Sequence, residues 1–141
     1  MIIMICGSMS FAKEMMEAKK KLESMGHEAL LPCDIDLHLE DSEFIDDLDK
    51  DFEHCIENQV METCFGFIEK SDAIVVLNHP KNDIDGYIGT STMMEIGLAR
   101  YLNKKIFILN NLPDYKDHRW VHEVRIMQPV MLEGDLNKIT L

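Results

Sequence analysis

Basic residues are scarce in this chain, with 14 Lys and Arg against 26 Asp and Glu and a net charge of -12. A nucleic acid polymer is bound through clustered Lys and Arg, so that partner is excluded. A mononucleotide is not, because backbone N–H groups at a helix start can hold one phosphate whatever the global charge. No apolar run approaches the roughly 20 residues of a membrane helix, so no membrane partner is expected. The apolar opening from Met1 to Cys6 has no basic leader and is shorter than a secretory core. It reads as a strand. Four cysteines, Cys6, Cys33, Cys55 and Cys64, form no CxxC pair. A chain of this size folds without disulfide staples, so reduced thiols and a cytoplasmic location are expected. No repeats or low-complexity segments are present.

What is there is the alternation of an α/β protein. The 141 residues suit one domain spanning 1–141. Ile2 to Cys6 is a β-branched and apolar run closed by Gly7-Ser8. Ser10 to Met25 has helical spacing, with Phe11, Met15, Ala18 and Leu22 on one face. Glu28 to Leu31 reads as a second strand, stopped by Pro32. The acidic stretch from Cys33 to Asp51 reads as a loop or short amphipathic helix, and 52–70 as one helix. Asp72 to Asn78 and Lys104 to Asn110 are two more buried strands, with a helix over 92–102 between them. A helix around Trp120 to Met127 and a short strand near Val130 or Ile139 complete the chain. The expected fold class is a three-layer α/β arrangement, a mostly parallel sheet with helices on both faces, flavodoxin-like or Rossmann-like.

In such sheets ligands sit beyond the carboxyl ends of the strands, here the loops starting at Gly7, Pro32, His79 and Asn110. Cys6-Gly7-Ser8-Met9-Ser10 brings two hydroxyls to a helix start, where Ser8 or Ser10 caps the helix, binds an anion, or does both. The loop from His79 to Gly89 is longer than the roughly 2 to 6 residues of an ordinary βα connection, which suits a binding role. Tyr87 in it either stacks on a ligand or packs the loop. Glu95 is expected in the first turn of the following helix, where the helix dipole favours an ionised carboxylate able to act as a nucleophile. Thr92-Met93-Met94-Glu95 also fits a capping box, in which Glu95 serves the backbone instead. His118 and His122 share a helix face without a third metal ligand, and His54 and Cys55 as helix neighbours point apart. No metal and no cofactor are expected.

Three stretches together resemble the nucleoside 2-deoxyribosyltransferase-like family, which includes deoxynucleoside 5′-monophosphate N-glycosidases. Cys6-Gly7-Ser8-Met9 is similar to the family's first-strand loop and Ser71-Asp72-Ala73-Ile74-Val75-Val76 to its third strand. Met94-Glu95-Ile96-Gly97-Leu98-Ala99, followed by Lys104 to Asn110, is similar to its glutamate-bearing helix and next strand. The resemblance implies that Glu95 is the nucleophile attacking the anomeric carbon, with Gly7, Ser8, Met9, Tyr87, Asp85, Gly89 and Asn110 around the substrate. The implied substrate is a nucleoside or nucleoside 5′-monophosphate, and the implied assembly a homodimer or larger homo-oligomer. The chain departs from the family in two places. Cys64 stands where the family carries an aspartate, and Gly89 occupies the spacing of a second acidic residue, with Asp83 or Asp85 nearby in the loop. Cys64 supports an alternative reading, a module of the same fold that binds or senses a nucleotide without cleaving it. A third reading is an interaction protein using the acidic face from Asp34 to Asp51. A phosphorelay receiver is excluded by Gly7-Ser8 and Asn78 in place of its aspartates, and a flavoprotein by Met9 and Phe11 in the first loop.

Overall fold

Five strands form one sheet: β1 (Ile2–Gly7), β2 (Glu28–Leu30), β3 (Ala73–Leu77), β4 (Lys105–Ile108) and β5 (Val130–Met131). The computed structural model describes residues 1–140. The strand order is β2-β1-β3-β4-β5 and every pairing is parallel. This is the flavodoxin-like order of a doubly wound sheet. Six helices connect the strands: α1 (Ala12–Ser24), α2 (Ile35–Glu40), α3 (Leu48–Glu57), α4 (Val60–Lys70), α5 (Thr90–Tyr101) and α6 (Arg119–Ile126).

Side chains alternate along each strand, and the alternation divides the core in two. Ile3, Ile5, Val75, Leu77 and Phe107 pack with Met15, Ala18 and Leu22 of α1, and Leu132 and Ile139 of the C-terminal segment close that layer. Met4, Cys6, Ile74, Val76, Ile106 and Ile108 pack on the other side with Ile68 of α4, Ile96 of α5 and Val124 of α6. Burial on both faces is why β3 is apolar throughout.

Several boundaries differ from the periodicity. The helix expected over 52–70 is two helices. Asp47 caps α3 by accepting from the Lys50 N–H at 3.2 Å, so it starts earlier, at Leu48. It ends where the Asn58 side chain donates back to the His54 carbonyl at 2.9 Å, after which Gln59 takes a left-handed φ of 48° and redirects the chain into α4. Three apolar residues of α3, Leu48, Phe52 and Ile56, are 76%, 66% and 64% exposed. Upstream, the acidic stretch holds α2 and a 3-10 turn, Phe44–Asp46. The first helix is preceded by another such turn, Met9–Phe11. The last strand lies at Val130, and Ile139 follows a third 3-10 turn.

Candidate active site

At the boundary between β1 and β3 the connections leave towards opposite faces of the sheet, so the loops after these strands part and open a crevice. A cleft of about 400 Å³ occupies it, a size within the roughly 300 to 1,000 Å³ of small-molecule sites. Gly7, Ser8 and Met9 supply one side, and Lys81, Tyr87, Gly89, Thr90, Ser91 and Glu95 another. The strap from β2 to α4 completes the walls with Asp34, His38, Leu48, Val60, Met61, Cys64 and Phe65. Of the residues singled out in the sequence, Gly7, Ser8, Met9, Tyr87, Gly89 and Glu95 come together here. Asp85 is exposed and outside the wall. Asn110 also lies outside it and instead ties the ends of β3 and β4 together. Its N–H donates to the Asn78 Oδ1 at 2.8 Å, and the Asn78 Nδ2 donates to its carbonyl at 2.9 Å.

The loop after β1 passes close over the end of β3. At Gly7, with φ +154°, a Cβ would stand 2.8 Å from the Leu77 carbonyl oxygen, so only glycine lets the chain through. Ser8 then does two things. Its Oγ accepts from the Ser10 N–H at 3.3 Å, capping the 3-10 turn, and accepts from the Lys81 Nζ at 3.1 Å. Lys81 is presented by a tight hairpin in which Asn82 and Asp83 adopt left-handed φ angles of 53° and 60°, residue types that tolerate this conformation. Its ammonium also lies 5.5 Å from the centroid of the Tyr87 ring.

Helix α5 begins at Thr90, two residues before the expected start. Gly89 is the N-cap and contributes no side-chain cap, while Thr92 is buried within the first turn. The capping box between Thr92 and Glu95 therefore does not form. Two consequences follow. The leading N–H groups of α5 have no side-chain cap, and Gly89, Thr90 and Ser91 at that helix start line the cleft. Glu95 sits in the second turn, beyond the strongest effect of the dipole. Burial, not the dipole, governs its ionisation. It raises the Glu95 pKa to about 7, although the Cys6 thiol acts in the opposite direction by hydrogen bonding to the carboxylate.

Around Glu95 lie thiols where a polar carboxylate neighbour was expected. Cys6 is buried beneath it, and burial together with the Glu95 charge pushes that thiol well above its ordinary value. Cys64 lines the cleft and donates to the Cys33 Sγ at 3.9 Å, with a thiol pushed by burial to about 12. It keeps its proton at neutral pH.

On the strap, the Asp34 Oδ2 bonds His38 Nε2 at 3.2 Å and His54 Nε2 at 3.0 Å. Burial alone would raise the Asp34 pKa, but the two histidine bonds outweigh it and hold the carboxyl below its usual range. Sequence reasoning missed this cluster and Lys81. Asp34 and His38 stand four apart, a spacing that places both on one side of a helical turn and was a usable signal. His54 was weighed only against its neighbour Cys55, and Lys81 only as part of the long loop from His79 to Gly89.

A family model described as nucleoside 2-deoxyribosyltransferase matches residues 3–128, nearly the whole chain. The chain belongs to the nucleoside 2-deoxyribosyltransferase family. Its structure is also similar to that of a CMP N-glycosidase from Clostridium botulinum, at 16% identity and a TM-score of 0.45, covering 88% of this chain and 82% of that one. Among curated proteins none matches the sequence. As a member of the deoxyribosyltransferase family the chain is expected to handle a nucleoside or nucleotide, and no helix among its described residues is long and apolar enough to cross a membrane.

Proposed function

We propose that this protein cleaves the N-glycosidic bond of a 2-deoxynucleoside 5′-monophosphate, with Glu95 as the nucleophile. The observation that carries the reading is the placement of Glu95 in one cleft with the uncapped start of α5 and the Lys81 ammonium. A carboxylate attacking an anomeric carbon is the usual retaining chemistry at an oxocarbenium-like transition state. With a pKa near 7, Glu95 is ionised in a substantial fraction at neutral pH, and its desolvated carboxylate is a better nucleophile than a hydrated one. The 5′-phosphate suits the part of the cleft around Lys81 and the start of α5. There Lys81 supplies the charge, Ser8, Thr90 and Ser91 the hydroxyls, and the first turn of α5 the N–H groups. Phe65, Met61 and Met9 offer apolar walls to a base.

The glycosyl-enzyme ester formed on Glu95 would be resolved by water, releasing deoxyribose 5-phosphate, or by a second base. The test is incubation with a panel of nucleosides and their 5′-monophosphates, deoxy and ribo, with chromatography of released base. Release from monophosphates that is lost in Glu95→Ala supports the reading. Cys64 supports a second one, a nucleotide-binding module without catalysis, because a thiol that keeps its proton does not replace a hydrogen-bonding carboxylate. Tight binding without release from any substrate would favour the module.

A further inference from the structure

We propose that His38 is the proton donor to the departing base and that Asp34 positions it. The assignment rests on the glycosidase reading above. It starts from a chemical need, since a nucleobase expelled as an anion is a poor leaving group and a general acid is worth roughly 10² to 10⁴ in rate. Cys64, at the position where a carboxylate was expected, holds its proton too tightly to supply it.

The strap offers a better group. Asp34 and His38 both line the cleft, whereas His54 does not. The His38 side chain is 2% exposed and that of Asp34 9% exposed, so the pair is built into the wall. Asp34 engages only Nε2 of His38. Nδ1 has no protein partner, yet no side-chain nitrogen or oxygen among the described residues is both fully buried and unpartnered. Nδ1 therefore keeps some exposure, in a residue that lines the cleft. His54 bonds the same carboxylate oxygen from α3, and the Phe44 ring meets His38 and His54 edge-on at 5.9 and 5.5 Å. These contacts hold the ring in place. In its protonated form His38 carries an N–H on each nitrogen, one donated to Asp34 and the other free for the base.

The step balances without a further reactant. A Glu95 oxygen forms a bond to C1′ as the C1′–N bond breaks, the electron pair stays on the base nitrogen, and the His38 Nδ1 proton joins it. Neutral base leaves. Water then attacks C1′, the ester bond to Glu95 breaks, and the proton lost by water returns to His38.

The experiment compares two leaving groups in wild type, His38→Gln, Asp34→Asn and Glu95→Ala: a nucleobase, and 4-nitrophenolate on deoxyribose 5-phosphate, which departs without a proton. Each variant is checked for a cooperative melt. The expected result is that His38→Gln loses at least 100-fold in kcat on the nucleotide and under 5-fold on the nitrophenyl substrate. Asp34→Asn should show the same split, at about 10-fold. Equal losses on both substrates in a folded variant would make the pair a packing feature and overturn the assignment, as would no loss on either. If His38→Gln does not fold, the split in Asp34→Asn decides. Wild type inactive on both substrates overturns the glycosidase reading and this assignment with it, whereas activity on both that depends on Glu95 but not on His38 sinks the assignment alone.

Discussion

Lys81 donates to the Ser8 hydroxyl at 3.1 Å, joining the loop after β3 to the loop after β1 across 73 residues of sequence. In a chain with net charge -12 this ammonium lines the cleft beside Tyr87 and has no carboxylate within ion-pair distance among the described residues. Its hydroxyl partner leaves the charge available to an anion.

Replacing Lys81 should therefore separate phosphorylated from unphosphorylated substrates. For Lys81→Met we expect KM for a monophosphate to rise about 10- to 100-fold, the loss of one charge-assisted contact, while KM for the matching nucleoside changes less than about 3-fold. Steady-state kinetics on the pair is the measurement. An equal rise for both would remove the phosphate from this end of the cleft.

Glu95 links activity to stability with opposite signs. Its carboxyl must be ionised to attack, so kcat on the nitrophenyl substrate, whose leaving group needs no proton from His38, should climb as pH rises towards and through about 7. Stability should run the other way. An unfolded chain ionises this group near 4.5 and the folded protein only near 7, so the folded state loses ground as pH rises between those values and then levels off. Glu95→Gln should melt at about the wild-type temperature at pH 4 and several degrees higher at pH 8, a gain of at most about 3 kcal/mol. Calorimetry at the two pH values decides. A variant less stable than wild type at pH 8 would show that burial of the charge is not costly.

The Asn78–Asn110 pairing predicts a stability effect. Asn78 is fully buried, and its side chain satisfies both the N–H and the carbonyl of Asn110. Asn78→Ala leaves those groups unpaired where the loops after β3 and β4 meet, at a cost of about 2–4 kcal/mol. Urea unfolding should show the midpoint falling with little change in slope.

Thiol labelling tests the environment of the cleft floor. Cys33 is exposed, whereas Cys6 is buried and its thiol is raised well above the ordinary value. At pH 8 an aromatic disulfide reagent followed by mass spectrometry should modify Cys33 first, Cys55 and Cys64 slowly given thiols near 11 and 12, and Cys6 only on unfolding. Rapid labelling of Cys6 would mean that the floor under Glu95 is open.

The sequence by itself determined the sheet and the corner at which the cleft lies. Runs such as Ile2 to Cys6 and Ala73 to Leu77 are apolar on both faces, which only a strand covered on both sides tolerates, and alternation with helical spacing leaves parallel crossovers as the connection. Glu95 was likewise placed near the ligand loops by its position after β3. Where α5 starts was not legible, because Gly89 and Thr92 both suit an N-cap and burial of Thr92 against the core chose between them. Nor was the ionisation of Glu95, which depends first on burial by the surrounding packing and then on the Cys6 thiol of β1, not on its place along the helix. The acidic strap shows the limit most clearly. Its charges read as one solvated run, yet Asp34 is turned inward, because His54, 20 residues away, and His38 supply the hydrogen bonds that make burying a carboxylate tolerable. Local patterns specify elements, and only packing decides which polar groups meet.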